Sequence, residues 1–118
     1  MSKMQMAIAY IEALGFRVYA DNNFTTGRTG VIYCKTFDKK SDIDCLCNDR
    51  APQVVITPYV FKMESFSHES FSIELTGEDN NGNWPHISYS LKPEEISTTL
   101  EKVIDKLYAA WNLLAKED

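Results

Sequence analysis

Apolar and polar residues alternate along two stretches near the C-terminal end of the chain. The apolar positions are Phe71, Ile73, Leu75, Ile87, Tyr89 and Leu91. A period of two is typical of strands with one buried face, and an Asn-Gly pair between two such stretches favours a hairpin. Pairing Leu75 with Ile87 keeps all six side chains on one face, and it puts Gly82 in the left-handed position of a bulged turn. We therefore predict this register.

After Leu91 the period changes from two to about 3.6, which predicts a helix from Pro93 to Lys116. Its apolar stripe consists of Ile96, Leu100, Val103, Leu107, Ala110 and Leu114, widened by Ile104, Tyr108 and Trp111. At ~1.5 Å per residue this helix would be about 36 Å long, whereas a typical strand spans ~20 Å. We therefore expect its last turns, with Trp111, to extend past the sheet and contact a partner.

The rest of the chain predicts a second helix and three further strands. A short apolar stripe follows Ser2 and ends at Gly15, and strands are indicated over 16–20, 31–37 and 53–62. Residues 38–50 are polar and predict a loop. The fold class expected for residues 1–118 is one α+β domain, in which an antiparallel sheet of about five strands carries both helices on one face.

Strand 53–62 differs from the hairpin because both of its faces are apolar. Val54, Ile56 and Val60 would point one way, and Val55, Tyr59 and Phe61 the other. Pro58 has no amide donor, so we expect an edge strand or a bulge there. The second apolar face is either covered by the 38–50 loop or is an interface with a partner or a second copy.

The charge of the chain is −5, and the excess lies around the hairpin. Residues 51–91 carry Lys62 against five acidic side chains, among them Glu74 and Glu78. This distribution disfavours direct binding to nucleic acid or to an anionic membrane, and it suits either a basic partner or simple solubility. No signal peptide or membrane span is visible, and three cysteines are an odd number, so we expect a reducing, cytoplasmic location.

The residues that could carry chemistry do not form a recognisable catalytic or metal-binding pattern. Cys34, Cys45, Cys47 and His68 lack the paired spacing of a zinc site, and the turn around Gly82 does not follow a calcium loop. His86 and Glu74 would share one face of the hairpin, but no nucleophile or oxyanion donors accompany them. We therefore expect no enzyme activity, no metal and no cofactor.

These observations favour a small acidic protein-binding module, which would be an adaptor, a chaperone or an inhibitor of a larger assembly, and a homodimer. The partner would present a basic or apolar surface. The residues predicted to contact it are Val55, Tyr59, Phe61, Glu74, Glu78 and Trp111. The alternative is a small-ligand or nucleotide-binding protein with a site at a subunit interface, where Arg28 of the glycine-containing segment 26–30 would bind an anionic group.

Overall fold

The protein forms one open sheet of five antiparallel strands with an N-terminal and a C-terminal helix, as the α+β prediction requires. The computed structural model describes residues 2–22, 26–36, 53–77 and 86–116. In chain order the elements are α1 (Lys3–Ala13), β1 (Arg17–Ala20), β2 (Val31–Thr36), β3 (Gln53–Lys62), β4 (Ser67–Thr76), β5 (His86–Leu91), a 3₁₀ turn (Pro93–Glu95) and α2 (Ile96–Lys116). The predicted loop 38–50 and Gly82 lie outside the described residues.

Helix α1 begins and ends through local interactions that the sequence predicts. The Ser2 hydroxyl accepts a hydrogen bond from the Gln5 amide, and the Gln5 side chain accepts one from the Ser2 amide. This capping box satisfies two amides that would otherwise lack partners. At the other end Gly15 has φ +94°, a left-handed conformation that suits glycine after a helix. Lys35 of β2 also donates to the Leu14 carbonyl at 2.7 Å, which binds α1 to the sheet.

The strands follow one another in space in the order β1-β2-β3-β4-β5. The register predicted for the last hairpin is confirmed, because Leu75 pairs with Ile87, Ile73 with Tyr89 and Phe71 with Leu91. Tyr89 is nevertheless 54% exposed, although its neighbours Ile73 and Leu91 are buried. Its exposure is explained by position, since β5 is the last strand of the sheet and has no neighbour on its outer side among the described strands.

Both helices contribute to one hydrophobic core on a single face of the sheet. The fully buried strand residues at its centre are Ile56, Phe71, Ile73 and Leu75, each with no exposed surface. Helix α1 adds Met4, Ala7 and Ile11, and α2 adds Ile96, Leu100, Val103, Leu107 and Trp111. Burial of an aliphatic or aromatic side chain contributes roughly 1.5–3 kcal/mol, so this shared core is the main source of stability.

Of the two positions predicted for Pro58, an edge strand or a bulge, the edge strand is wrong, because β3 is the central strand. Pro58 is buried and pairs with Phe71 of β4. On its other side the pairing changes: Tyr33 pairs with Ile56, but Arg28 pairs with Tyr59. Ile56 and Tyr59 are three residues apart in β3, whereas their partners Tyr33 and Arg28 are five residues apart. The regular pairing is interrupted beside Pro58. The amide hydrogen that proline lacks is therefore not needed for a ladder hydrogen bond.

Helix α2 is predicted correctly in extent, but the expected partner contact at Trp111 is not available. The first turn, Pro93–Glu95, is 3₁₀ rather than α-helical. Trp111 is only 7% exposed and belongs to the core, so the prediction that it contacts a partner is corrected. Near this end of α2 the Leu113 side chain is exposed, at 69%.

Strands β3 and β4 extend as a two-stranded arm beyond their neighbours. Ten residues of each strand pair, whereas β5 pairs only with Phe71–Thr76 and the regular pairing of β2 ends at Ile56. The Met63 amide donates to the Phe66 carbonyl at 2.8 Å and closes the turn. Met63 and Phe66 are 65% and 56% exposed. The arm therefore ends in an apolar tip.

Candidate functional site

The face of the sheet opposite the helices brings together four of the predicted partner-binding residues. We call it the open face, formed by Cys34 of β2, by Val55, Thr57, Tyr59 and Phe61 of β3, by Ser70, Ser72 and Glu74 of β4, and by Ser88 and Ser90 of β5. The register places Val55 beside Glu74, and Glu74 beside Ser88, in one row across the sheet. No described helix lies against this face, since α1 and α2 both pack on the other.

Tyr59 is held in place by Arg28, which lies in the connection between β1 and β2. The Arg28 Nη1 donates to the Tyr59 hydroxyl at 3.1 Å, and the guanidinium carbon lies 5.8 Å from the ring centroid. The Arg28 Nε donates to Asp21 at 2.5 Å. This hydrogen bond to the carboxylate raises the pKa of Arg28 above its usual value. The Arg28 and Asp21 side chains are only 16% and 4% exposed.

Phe61 is partly covered by the same connection through backbone contact. The Gly27 carbonyl accepts a hydrogen bond from the Val60 amide at 2.7 Å. A Cβ at Gly27 would lie 2.4 Å from the tip of the Phe61 ring, so only glycine lets the backbone approach this closely. The Phe61 ring also lies 6.4 Å from Tyr59 and 6.4 Å from His68, centroid to centroid. The second apolar face of β3 is therefore covered in part by residues 26–30.

What the open face offers to solvent is a mixture of apolar and hydroxyl groups. Val55, Tyr59 and Phe61 are half-buried, as are Ser70, Ser72 and Glu74, while Ser88 and Ser90 are exposed. Thr57 and Cys34 lie between them and are buried. Such a surface has both the apolar patches and the hydrogen-bonding groups that interfaces use. Glu78, the remaining acidic residue of the prediction, lies outside the described residues.

The structure does not favour the alternative ligand site at Arg28. Two nitrogens of its guanidinium already bond Asp21 and Tyr59, and its side chain is largely buried. An anion binder would need these donors directed at solvent. The glycines flanking Arg28 shape the turn instead, with φ +87° at Gly27 and +89° at Gly30.

The geometry adds nothing to a catalytic or metal-binding interpretation. His86 pairs with Thr76, two positions along from the Glu74–Ser88 pair, and the His86 side chain lies outside the description. Across residues 2–22, 26–36, 53–77 and 86–116, no three His, Cys, Asp or Glu side chains gather as metal ligands. Cys34 is buried and forms no disulfide, and Cys45 and Cys47 fall outside these ranges.

A groove on the helical side was not predicted from the sequence. It has a volume of about 580 Å³ and runs between α1 and the start of α2, lined by Met6, Ala7 and Tyr10 on one side and Pro93 and Ser97 on the other. The Tyr10 hydroxyl donates to Glu101 at 3.1 Å across the two helices. Because Met6 and Ala7 read as ordinary positions of an amphipathic helix, nothing in the sequence distinguishes this groove.

Sequence reasoning also missed that Arg28, Asp21 and Tyr59 act together. In the sequence Asp21 only follows the predicted strand 16–20 and Arg28 is a candidate ligand contact, so the glycines at 27 and 30 are the one hint of a close approach.

Among the described residues, neither α1 nor α2 combines the length and the apolar character that a membrane-spanning helix needs. Comparison with protein-family models, with curated proteins and with solved structures finds no match for this chain.

Proposed function

We propose that this protein is a non-enzymatic protein-binding module that docks a partner on the open face of its sheet. It would work as an adaptor, a chaperone or an inhibitor of a larger assembly, as a homodimer in the cytoplasm. The observation that carries the proposal is the row of half-buried apolar side chains on β3, which lie on the face that neither helix covers.

The composition of the open face supports a protein partner. Its apolar groups lie on the central strand, and the serines of β4 and β5 lie to one side. Interfaces commonly place apolar groups at the centre and polar groups at the rim. Arg28 and Gly27 fix Tyr59 and Phe61 in position, so these rings would lose little side-chain entropy on binding.

The charge of this part of the chain suits a basic partner surface. Glu74 lies in the middle of the open face, and residues 64–79 contain five acidic side chains and no lysine or arginine. Charge complementarity of this kind raises association rates and selects among partners, and salt weakens it. We therefore expect partner binding to weaken as ionic strength rises.

Substitution of Val55 by Asp tests the proposal. Val55 is half-buried and makes neither of the contacts that hold Tyr59 and Phe61, so a carboxylate there changes the open face with limited damage to the fold. Tagged wild-type and V55D proteins are expressed in the source cells, cross-linked and recovered, and the bound proteins are quantified by mass spectrometry. We expect the amount of the specific partner recovered with V55D to be about tenfold or more below the amount recovered with the wild type. A loss of this size is usual when a hot-spot residue is changed.

The matched control is L113D, which makes the same apolar-to-acidic change at an exposed position on α2. L113D should recover the partner as the wild type does. Thermal melts of all three proteins show whether V55D is folded, and S72R provides a second change on the open face if it is not. Equal recovery by wild type, V55D and S72R would overturn the proposal.

A further inference from the structure

The outer edge of β5 has no paired strand among the described residues. β5 is the last strand in the sheet order, and it is the longer of the two edge strands, with six residues against four in β1. Ser88 and Ser90 on one face are exposed, and Tyr89 on the other is 54% exposed. Helix α2 packs against β5 on the helical face but leaves Tyr89 exposed.

The register shows which backbone groups point outward from this edge. The Met63 amide donates to the Phe66 carbonyl, so the amides and carbonyls of the odd-numbered β3 residues point toward β4. Because these backbone groups alternate in direction along a strand, this bond also fixes their direction in β4 and β5. Leu91, Tyr89 and Ile87 then direct their amides and carbonyls at β4. The amides and carbonyls of His86, Ser88 and Ser90 point away from the sheet, which leaves three donors and three acceptors for another strand.

β5 lacks the features that normally protect an edge from pairing. Natural edge strands carry lysines, prolines, bulges or inward-pointing charges. Residues 86–91 contain no charged residue and no proline, in a chain whose net charge is −5. Two copies that repel each other elsewhere can therefore approach here without bringing like charges together.

The strand is also complementary to itself. In an antiparallel pair of two β5 strands centred on Ser88, Ser88 lies opposite Ser88 of the second copy, and His86 lies opposite Ser90. All three outward-facing residues are then paired. On the helical face Ile87 lies opposite Tyr89 of the other copy, a β-branched and aromatic pair of the kind that stabilises sheets. The exposed Tyr89 ring would gain the neighbour that it lacks in one copy.

We propose that β5 is the homodimer interface, where two copies pair edge to edge about a two-fold axis at Ser88. The result is a continuous sheet of ten strands with all four helices on one side and both open faces on the other. The contact is isologous, because each copy supplies the same six-residue strand. Each copy uses its β5 edge in this one contact, so the contact joins two copies and no more.

Cysteine cross-linking tests the register directly. In a background of C45S and C47S, with the buried Cys34 retained, S88C places two thiols across the axis, where the Cα atoms of a paired position lie about 5.5 Å apart. S90C is the matched control, because its two copies would lie four residues apart, about 13 Å along the strand. We expect S88C to form a disulfide-linked dimer under mild oxidation at least about tenfold more efficiently than S90C.

Sedimentation of the unmodified protein supplies the second measurement. The mass should rise from 13.5 kDa towards twice that value as concentration increases to roughly 500 µM, since a contact of this size is small. S88P removes an amide that only the second copy would use, so it should stay monomeric with an unchanged circular dichroism spectrum. If S88P does not fold, the comparison of S88C with S90C still decides.

A wild type that is monomeric at every concentration, equal cross-linking of S88C and S90C, or a folded S88P that still dimerises would each overturn the inference. It supplies the surface for the homodimer named above but does not depend on the open face. V55D should dimerise normally while losing the partner. Loss of dimerisation with the partner retained, or the reverse, therefore identifies which of the two proposals has failed.

Discussion

Single residues decide how the β1–β2 connection is fastened to the arm. Arg28 bonds Asp21 and Tyr59, and Gly27 brings its backbone against Phe61. These contacts join residues that lie 7 and 31 positions from Arg28 in the chain. They explain why side chains that looked available for a ligand or a partner are partly used within the fold.

Gly27 and Gly30 provide a matched pair of substitutions. Both have positive φ, so alanine at either position costs about 1–2 kcal/mol in backbone strain. At Gly30 a Cβ meets nothing within 4 Å, but at Gly27 it would overlap the Phe61 ring. We expect G27A to lower the free energy of unfolding by roughly 1 kcal/mol or more beyond G30A, measured by urea denaturation. In an F61L background the difference should shrink, and an unchanged difference would show that the ring is not its cause.

Tyr33 should make stability depend on alkaline pH. It is 4% exposed, and burial, helped by the negative charge of Glu12, raises the pKa of its hydroxyl above 10.0. The folded state therefore holds this proton more tightly than the unfolded state. The resulting stability is complete below pH of about 10 and is lost as pH rises further. We expect Y33F to unfold with a shallower dependence of melting temperature on pH above that point. Y89F, at an exposed tyrosine, should follow the wild type, and identical slopes for all three proteins would contradict the interpretation.

At the scale of elements, α2 covers the sheet from Ile96 to Trp111. Its buried positions follow the predicted stripe and are Ile96, Leu100, Val103, Leu107 and Trp111. Trp111 lies on the side of the helix that packs on the core, whereas Leu113 is exposed. Helix length compared with strand length suggested an overhang. That comparison takes no account of where along the sheet the helix lies.

The Trp111 indole makes this assignment testable. Its Nε1 is buried and has no hydrogen-bond partner among the residues the structure describes, so phenylalanine would lose packing but no hydrogen bond. We expect W111A to destabilise the protein by about 3–5 kcal/mol and W111F by clearly less. Unfolding is followed by circular dichroism, because the substitution removes a fluorophore. If W111F kept full stability but lost the partner, Trp111 would be a binding residue after all.

At the scale of the whole molecule, the helices, the open face and the edge of β5 are separate regions of one sheet. The helices bury one face of the sheet, the open face is free of them, and pairing at β5 would join two copies without covering either open face. Both open faces of the dimer lie on the same side of the ten-stranded sheet.

This arrangement predicts the stoichiometry of the complex. Because each copy keeps its own open face, a dimer should bind two partner molecules, or one partner that carries two equivalent surfaces. Native mass spectrometry of the recovered complex measures this ratio. A single partner that buries one open face and leaves the other vacant at saturation would contradict the symmetric arrangement.

Much of the local structure follows from the chain alone, because its causes lie within a few residues of one another. Period-two alternation set the strands and the register of Leu75 with Ile87, and the Ser2 cap, Gly15 and Pro93 set the ends of helices. These signals depend on backbone geometry and on the difference between apolar and polar side chains in their preference for water. They operate before any distant segment is in place.

The rest was decided by contacts between distant segments, which no local pattern contains. The position of β3 at the centre, the interrupted ladder beside Pro58, the burial of Trp111 and the bonding of Arg28 to Tyr59 all depend on which elements become neighbours. Likewise, Tyr89 alternates like a core residue but is exposed because β5 ends the sheet. Periodicity tells which way a side chain points, whereas only the packed structure supplies the surface that it meets.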